Sequence, residues 1–345
     1  MGHRGLTVAA AAVLAVGFAA ARPLRYEVEG LSMAPGLLPG DTVSTGWFPG
    51  LDSRRSPGRF ERWIVDVPGG AAGIKRVAGL PGEVISIEDG DLTVAGARVL
   101  SDPHTLAGRG TRLDDLAERA GTVDAEGFTW RHVAAAAPVL DDAPFAPGER
   151  RLLLPVQDVG IAAILEVKPA DAGGVAARIA VAVGPRVIRW RIGAAGRFGL
   201  AAGRLDGRLV GAVWPLPQGA AAWTTRGCLP RGAPAAWDVA SHWPQEPPGH
   251  FPGEDTDDHA PRLALGVAPV GESNAGRATA SVAVVAVARW RDVLLRPAAD
   301  GVVEWRLGPD ECLMLGDYSA GSRDSRHFGP LRREQLRQRV SRTGD

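Results

Sequence analysis

Short apolar runs separated by glycine and proline turns dominate the chain between residues 25 and 100. The segments 42–48, 63–68 and 74–80 have the length and boundaries of β-strands. In the segment 83–99, apolar residues alternate with polar ones on both sides of "EDGD", which predicts a β-hairpin. This stretch of the chain is therefore predicted to be a β-rich unit.

The following region, residues 101–285, has a mixed pattern. The runs "ARIAVAVG", "RVIRWRIG" and "GRLVGAVWPL" predict strands, whereas the alanine-rich segment 112–138 predicts a helical piece. Proline-rich connectors separate these elements, and the acidic loop 248–260 lacks the spacing of a calcium-binding loop, so no metal is expected. This region is predicted to be a large α+β insertion.

Strand character returns at "SVAVVAVARWRDVLL", and the basic segment "RREQLRQRV" predicts a helical tail. The fold class is thus mainly β, with a core built from two separated segments and a large insertion between them. The predicted divisions are an N-terminal segment (1–23), which the resemblance given below makes a single transmembrane helix and membrane anchor, the N-terminal core segment (24–100), the insertion (101–285), the C-terminal core segment (286–331) and a basic tail (332–345).

Residues 5–21, "GLTVAAAAVLAVGFAAA", form an uncharged run between Arg4 and Arg22. As an α-helix this run extends about 26 Å, slightly less than the roughly 30 Å apolar core of a bilayer. A membrane anchor, a cleavable signal peptide with an A-x-A end at residues 19–21, and a buried helix all fit the pattern. Basic residues on both sides leave the orientation open.

Composition narrows the function classes. Acidic and basic residues balance at 39 each, so no net charge draws the protein to nucleic acid, and none is expected as a partner. The two cysteines, Cys228 and Cys312, do not make a disulfide framework, and Cys312 is predicted to be a small buried apolar residue. No cofactor-binding motif is recognised.

The stretch "GLSMAPGLLPGD", residues 30–41, is named here the serine loop. Its glycines and prolines exclude a helix and leave the backbone amide of Ser32 accessible. A nucleophilic serine uses such an amide to hold the oxyanion that it creates. Taken alone, a serine in a turn is more often an ordinary loop residue than a nucleophile.

A nucleophilic serine needs a base, and the seven histidines are scattered through the chain. The chain has only two lysines, Lys75 and Lys168, although it is rich in arginine. Burial lowers the pKa of a lysine and frees its amine, whereas arginine stays charged. Lys75 has apolar neighbours in "GIKRVAGL", which suits a base; the competing interpretation is a surface lysine on a strand.

The stretch "GDYSAGSRDSR", residues 316–326, is named here the closing loop. It carries serines, aspartates and arginines directly after the apolar run "CLML". One interpretation is a polar loop held by salt bridges. The other is a supporting network, in which a hydroxyl orients the lysine and Asp/Arg pairs fix the loops.

Together these three stretches resemble the bacterial type I signal peptidases, which are membrane-bound Ser/Lys proteases. The family box S-M-x-P-T-L-x-x-G-D is matched from Ser32 to Asp41, with Gly36 in place of Thr. The box K-R-V-x-G-x-P-G-[DE] is matched at each specified position from residue 75 to 83. The box G-D-N-[RS]-x-x-S-x-D-S-R-x-x-G is matched over residues 316–329, except that Tyr318 replaces Asn.

The resemblance implies a role for each matched residue. Ser32 would attack the scissile carbonyl, Lys75 would be the general base, and Ser322 would orient Lys75. The supporting charge network would be formed by Arg76, Asp317, Asp324 and Arg326. Substrate-contacting residues are expected to be Met33, Pro35 and Ile74. The oxyanion hole would include the Ser32 amide, and no metal is expected at the site.

By the same resemblance, the protein is expected to be a serine endopeptidase that removes signal peptides from exported preproteins after A-x-A sites. Residues 5–21 would then anchor it as a single span in the bacterial cytoplasmic membrane, with the catalytic domain on the extracytoplasmic face. The expected partners are preprotein signal peptides and membrane lipid, with the secretion translocon as a further candidate.

Two alternatives remain. Self-cleaving Ser/Lys repressors share the dyad, but they carry a DNA-binding domain and lack the closing box. A catalytically impaired membrane scaffold that binds exported chains is favoured slightly by Gly36 and Tyr318, and it is opposed by Ser32, Lys75 and Ser322.

Overall fold

A computed structural model describes most of the chain from residue 23 to residue 342. The described residues are 23–46, 55–70, 72–99, 111–112, 121–133, 139–141, 148–169, 177–184, 186–206, 208–217, 223, 229–230, 232–234, 238–239, 263–269, 281–297 and 303–342. The predicted anchor and the acidic loop 248–260 lie outside these ranges. Within them, no helix is long and apolar enough to span a membrane.

Strands make up nearly all of the regular structure in the described residues. They are β1 (Arg25–Glu27), β2 (Thr42–Thr45), β3 (Arg62–Asp66), β4 (Ala72–Gly79), β5 (Val84–Glu88), β6 (Asp91–Val94), β7 (Ala97–Arg98), β8 (Thr111–Arg112), β9 (Thr122–Val123), β10 (Thr129–Val133), β11 (Val159–Lys168), β12 (Ala177–Val183), β13 (Arg186–Ile192), β14 (Gly196–Leu205), β15 (Arg208–Pro215), β16 (Asp238–Val239), β17 (Leu263–Pro269), β18 (Ser281–Arg291), β19 (Glu304–Arg306), β20 (Glu311–Leu315), β21 (Leu331–Arg332) and β22 (Leu336–Arg342). The single described α-helix is α1 (Ser325–Phe328), and a 3-10 turn covers Arg333–Gln335. The prediction of a mainly β protein is confirmed.

The chain divides into two compact units. The first, named here the core unit, contains residues 1–99, 143–148 and 295–345; the second, the insertion unit, contains residues 100–142 and 149–294. The core unit has a seven-stranded sheet in the order β1-β2-β22-β3-β4-β20-β21 and a four-stranded sheet in the order β19-β5-β6-β7. Strands from both ends of the chain therefore share each of these sheets.

The residues of two turns explain how β4, β5 and β6 of the core unit are connected. After β4, "LPGE" places Pro81 and Gly82 at the centre of a turn, and Gly82 has a φ of 80°, which glycine adopts without strain. The backbone amide of Glu83 closes this turn on the carbonyl of Leu80. The predicted hairpin over residues 83–99 is also confirmed, since β5 and β6 pair around residues 89 and 90, both at positive φ.

The prediction of a helical basic tail is wrong. Residues 336–342 form β22, which lies between β2 and β3 in the seven-stranded sheet. Leu336 and Val340 are buried, and Arg339 forms an ion pair with Glu61. The apolar residues Leu336 and Val340 alternate with polar ones, but the many arginines between them make this strand pattern hard to recognise. Charged residues alone favour a helix only weakly, and the pairing with β2 and β3 outweighs that preference.

The insertion unit contains two sheets. One has the order β13-β12-β17-β10-β9 and the other the order β16-β15-β14-β11-β18-β8. Apolar residues of both sheets share one cluster, including Ile161, Leu200, Ile179 and Leu265. The described residues of this unit contain strands and turns without a helix, so the helical component of the α+β prediction is wrong at 121–133, where β9 and β10 lie. Residues 113–120 and 134–138 of that predicted segment lie outside the described ranges.

Candidate active site

The serine loop is held in shape by its own main chain and by one buried carboxylate. Asp41 accepts a hydrogen bond from the amide of Leu38 at 2.9 Å, and the amide of Val28 donates to the carbonyl of Asp41 at 2.8 Å. Met33 is buried, whereas Ser32 is partly exposed at the start of the loop. The loop therefore presents the serine on a fixed backbone, as its turn residues predict.

Lys75 lies on β4 opposite Trp63 of β3, and only 4% of its surface is exposed. Its Nζ donates a hydrogen bond to Oγ of Ser322 at 3.1 Å. The interpretation of Lys75 as a surface lysine is therefore wrong. Its burial among strands follows from its place next to apolar β4 positions that pack into the core.

The closing loop brings the serine loop and Lys75 together. The amide of Tyr318 donates a hydrogen bond to the carbonyl of Ser32 at 3.0 Å, and the amide of Ser322 donates to the carbonyl of Tyr318 at 2.8 Å. A Cβ on Gly316 would lie 2.0 Å from Oγ of Ser322 and 2.5 Å from the carbonyl oxygen of Ser32. Only glycine fits at this crossing, so the loop carrying Ser32 meets the hydroxyl that bonds Lys75.

Arg76, the neighbour of Lys75, forms a bidentate ion pair with Asp317. Its Nε and Nη2 donate to the two carboxylate oxygens at 2.7 and 2.6 Å, and Nη1 donates to the carbonyl of Phe60 at 2.8 Å. A Cβ on Gly36 would lie 2.9 Å from Oδ2 of Asp317. Glycine at this position, where the resembled family has Thr, therefore lets the serine loop approach the ion pair closely.

A second bidentate pair joins Asp324 and Arg326 in the closing loop. Arg326 donates through Nε and Nη2 at 2.9 and 2.6 Å, and the carboxylate also accepts the amide of Gly316 at 2.9 Å. Nη1 of Arg326 donates to both oxygens of Ser319 at 2.6 and 2.7 Å. Asp324 also caps α1, so one fully buried carboxylate fixes both ends of the closing loop.

The pKa values near Lys75 follow from burial and from these charges. Burial lowers the pKa of Lys75 below its ordinary value; the charge of Asp324 opposes this, and that of Arg326 adds to it. Burial alone would raise the pKa of Asp324, but the hydrogen bond and charge of Arg326 bring the net shift downward. A carboxylate held ionised thus lies close to an amine that is driven toward its neutral form.

Seven of the predicted site residues therefore lie in one connected network of the core unit. They are Ser32, Lys75, Arg76, Asp317, Ser322, Asp324 and Arg326. Of the predicted substrate-contacting residues, Met33 belongs to a buried apolar cluster, Ile74 packs against that cluster and Pro35 is partly exposed. Contact of these three with substrate stays a prediction.

Two contributions to the site were not predicted from the sequence. One is the main-chain bond from Tyr318 to Ser32, which has no side-chain signature. The other is Ser319, which matches its family box and binds Arg326, while its Oγ accepts the amide of Arg296 at 2.7 Å. The motif match is the signal that could have pointed to Ser319.

A buried amine hydrogen-bonded to a serine hydroxyl, with a second serine on the neighbouring loop, supplies the groups that a hydrolase with a lysine base requires. A family model described as "Signal peptidase, peptidase S26" matches residues 3–151. The matched range contains the serine loop and Lys75, and the closing loop lies beyond it. The match confirms the resemblance to signal peptidases over these residues. No curated protein matches the chain.

Proposed function

We propose that this protein is a membrane-bound serine endopeptidase that removes N-terminal signal peptides from exported preproteins. One observation carries the proposal: the buried Lys75 donates to Ser322, and the same closing loop binds the carbonyl of Ser32. A lysine buried without a carboxylate bonded directly to it is costly unless its neutral form is used. The family match over residues 3–151 supports the class of reaction.

In this mechanism the neutral amine of Lys75 accepts the proton of the Ser32 hydroxyl as the oxygen attacks the scissile carbonyl. The Ser32 amide contributes to binding the resulting oxyanion. The protonated Lys75 then gives its proton to the leaving amine, and the cleaved peptide bond leaves an ester on Ser32. A water that loses its proton to Lys75 then attacks this ester. The ester C–O bond breaks, and Lys75 passes the proton to Oγ of Ser32, which restores the hydroxyl and the neutral amine.

Ser322 has an orienting role in this mechanism. Its Oγ accepts one N–H of Lys75, which restricts rotation of the amine and directs its lone pair. Arg76 with Asp317, and Arg326 with Asp324, hold the two loops that carry these groups. The cut is proposed to follow small residues of A-x-A type, with Met33, Pro35 and Ile74 contacting substrate.

The location belongs to the same proposal. Residues 5–21 would anchor the protein in the bacterial cytoplasmic membrane, with the core unit on the extracytoplasmic face, where cleavage sites emerge during export. Partition of the full chain into membranes, with protease accessibility of the core unit from the outer side, tests this arrangement. Release of the unanchored chain into the soluble fraction would overturn it.

The decisive experiment is cleavage of a preprotein with an A-x-A site by the full chain and by Ser32→Ala. Loss of the nucleophile is expected to lower the rate by at least about 10⁴-fold. Ser44→Ala, at a partly exposed serine on β2, is the matched control and should keep full activity. Equal turnover by wild type and Ser32→Ala would overturn the proposal. Binding of preprotein without cleavage by the wild type would favour the impaired scaffold.

A further inference from the structure

Among the described residues, one sheet of the insertion unit ends in a strand with an unpaired edge. In the sheet β13-β12-β17-β10-β9, β13 is the terminal strand and, among the described strands, it pairs only with β12. Its seven residues extend about 24 Å, which is long enough to pair with another extended segment. Arg186 and Arg191, near the two ends of this strand, are exposed.

Three arginines share one face of this edge. Arg178 of β12 lies directly opposite Arg191 of β13, and Arg189 lies two residues before Arg191 on the same face. Directly opposed residues of antiparallel strands project to the same side of the sheet. Arg186 is an odd number of positions away and therefore projects to the opposite side.

Among the described residues, one carboxylate forms an ion pair with this group of three arginines. Glu126 lies 3.6 Å from Nη2 of Arg189 and is half exposed, whereas Arg178 donates to the main-chain carbonyl of Glu126 at 2.6 Å. Within the described structure Arg191 has no ionic partner, and Nε of Arg178 and of Arg189 has no hydrogen-bond acceptor. The face therefore keeps an excess of positive charge.

This arrangement is unfavourable without an anion. Like charges placed directly opposite on neighbouring strands destabilise a sheet. Charged residues can protect a sheet edge from aggregation, but Arg178 lies on the second strand, where edge protection does not require it. The guanidinium of Arg178 lies 4.8 Å from the centre of the Phe128 ring, and this contact holds the guanidinium in place before any ligand binds.

We infer that this face binds an extended acidic peptide segment, which adds to the sheet along the free edge of β13. Side chains of a strand that lie two positions apart are about 6.8 Å apart and face the same side. Two acidic residues in the pattern Glu-x-Glu would therefore meet Arg189 and Arg191. The main chain of β13 would supply affinity and the arginines the preference for acidic side chains. This site is separate from the proposed catalytic function.

The test uses the full chain and a fluorescently labelled nonapeptide with Glu at two alternate positions in a Val/Thr background. Binding is measured by fluorescence anisotropy, and a peptide with Lys at both positions serves as the charge control. We expect the Glu peptide to bind at least about tenfold more tightly than the Lys peptide, since like charges across an interface are strongly disfavoured. The double variant Arg189→Glu/Arg191→Glu should reverse this preference.

Matched variants separate this site from general electrostatic attraction. Arg186→Glu changes an equally exposed charge on the other face of β13 and should alter the affinity less than about threefold, because exposed charges interact weakly. A peptide N-methylated at the amides that face β13 should lose at least about tenfold in affinity, because it cannot pair with the edge. Arg191→Gln, at an exposed residue, keeps the folded state comparable and should weaken binding severalfold.

Three results would overturn the inference. These are equal losses from Arg186→Glu and from the double variant Arg189→Glu/Arg191→Glu, undiminished binding of the N-methylated peptide, and binding of anionic phospholipid vesicles or inorganic phosphate without binding of the Glu peptide. Because none of these measurements uses proteolysis, the outcome is independent of whether the protein cleaves preproteins.

Discussion

The two units of this protein bury different kinds of side chain. In the core unit, charged and hydroxyl side chains are buried together around Lys75, including Arg76, Asp317, Asp324 and Arg326. In the insertion unit, large rings are buried against glycines; the ring of Trp290, for example, lies where a Cβ of Gly160 or Gly203 would be. Charges buried in the insertion unit, such as Asp206, lie at turns and strand ends.

This difference separates stability from function. Burying ions contributes little to stability even when they are paired, because desolvation offsets the attraction between them. Burying aromatic rings against a flat, glycine-lined sheet stabilises directly through apolar area. The buried ions gathered around Lys75 are therefore expected to add little to stability, which supports the part that the proposed mechanism gives them.

The strongest test of this contrast is Lys75→Arg. Arginine preserves the charge but cannot act as a base, so preprotein cleavage should fall by about 10²–10⁴-fold, the contribution typical of general base catalysis. Rates of single-turnover cleavage at saturating enzyme measure the effect. Lys168→Arg, at the other lysine of the chain and exposed at the end of β11, is the control. Near-normal cleavage by Lys75→Arg would exclude the lysine-base mechanism.

The pH dependence of the wild type tests the same residue without mutation. Only the neutral amine can accept a proton, so kcat/KM should be low in acid and rise with pH through the pKa of Lys75. Since burial lowers that pKa, the rise should finish at lower pH than for an ordinary lysine of pKa about 10.4. A kcat/KM that shows no rise at any pH from the acid range up to about 10.4 would contradict a lysine base.

The next effect in size concerns the buried ion pair. Asp324→Asn leaves Arg326 buried without its carboxylate and should lower the free energy of unfolding by about 3–5 kcal/mol. Because the pKa of Asp324 is lowered in the folded state, its contribution is full above the unfolded value of about 3.9 and is lost as pH falls through the folded value. Urea titrations at several pH values should show the two proteins converging in acid.

Asp310→Asn is a suitable comparison for that experiment, since Asp310 is exposed in the turn before β20. It should change the free energy of unfolding by less than about 0.5 kcal/mol. If Asp324→Asn were equally mild, the buried network would not hold the closing loop, and the contrast between the units would lose its basis.

Local chemistry made much of the fold predictable. "EDGD" and "LPGE" carry their turn types in their own residues, so the strands around them could be located. The strand β22 could not, because its pairing with β2 and β3 joins positions almost 300 residues apart, and its arginines mask the alternation of Leu336 and Val340. Contacts at that separation leave no local pattern.

The candidate site was predictable to the extent that side chains carry its chemistry. Lys75 stands out because arginine cannot replace a base, and Ser322 was assigned through the resemblance of the closing loop to its family box. The hydrogen bond from Tyr318 to Ser32 uses only main-chain atoms, so the residue type at position 318 does not indicate it in the sequence. The space for Gly36 beside Asp317 depends on two loops meeting, which only the folded chain reveals.

A smaller effect on stability should come from changes in the apolar packing of the insertion unit. A Cβ on Gly160 would lie 2.2 Å from Cζ2 of Trp290 and 2.4 Å from the carbonyl oxygen of Ala202. Gly160→Ala should therefore lower stability by about 1–3 kcal/mol through overpacking. Gly193→Ala, where no atom lies within 4 Å of the new Cβ, is the control for the glycine effect alone. Thermal unfolding measures both, and equal melting temperatures for the two variants would show that the ring packing is loose.

The smallest expected effect is that of Ser322→Ala. The variant removes one hydrogen bond to Lys75, and a net contribution of about 0.5–1.5 kcal/mol corresponds to a loss of up to roughly tenfold in cleavage rate. The loss should fall on kcat, since the hydroxyl orients the base and does not bind substrate in the proposed mechanism. Ser325→Ala removes a neighbouring hydroxyl that accepts the amide of Met314 at 2.9 Å, so it should lower stability while leaving kcat below the melting temperature nearly unchanged. A loss confined to KM in Ser322→Ala would mean that Ser322 binds substrate, and that Lys75 is oriented by burial alone.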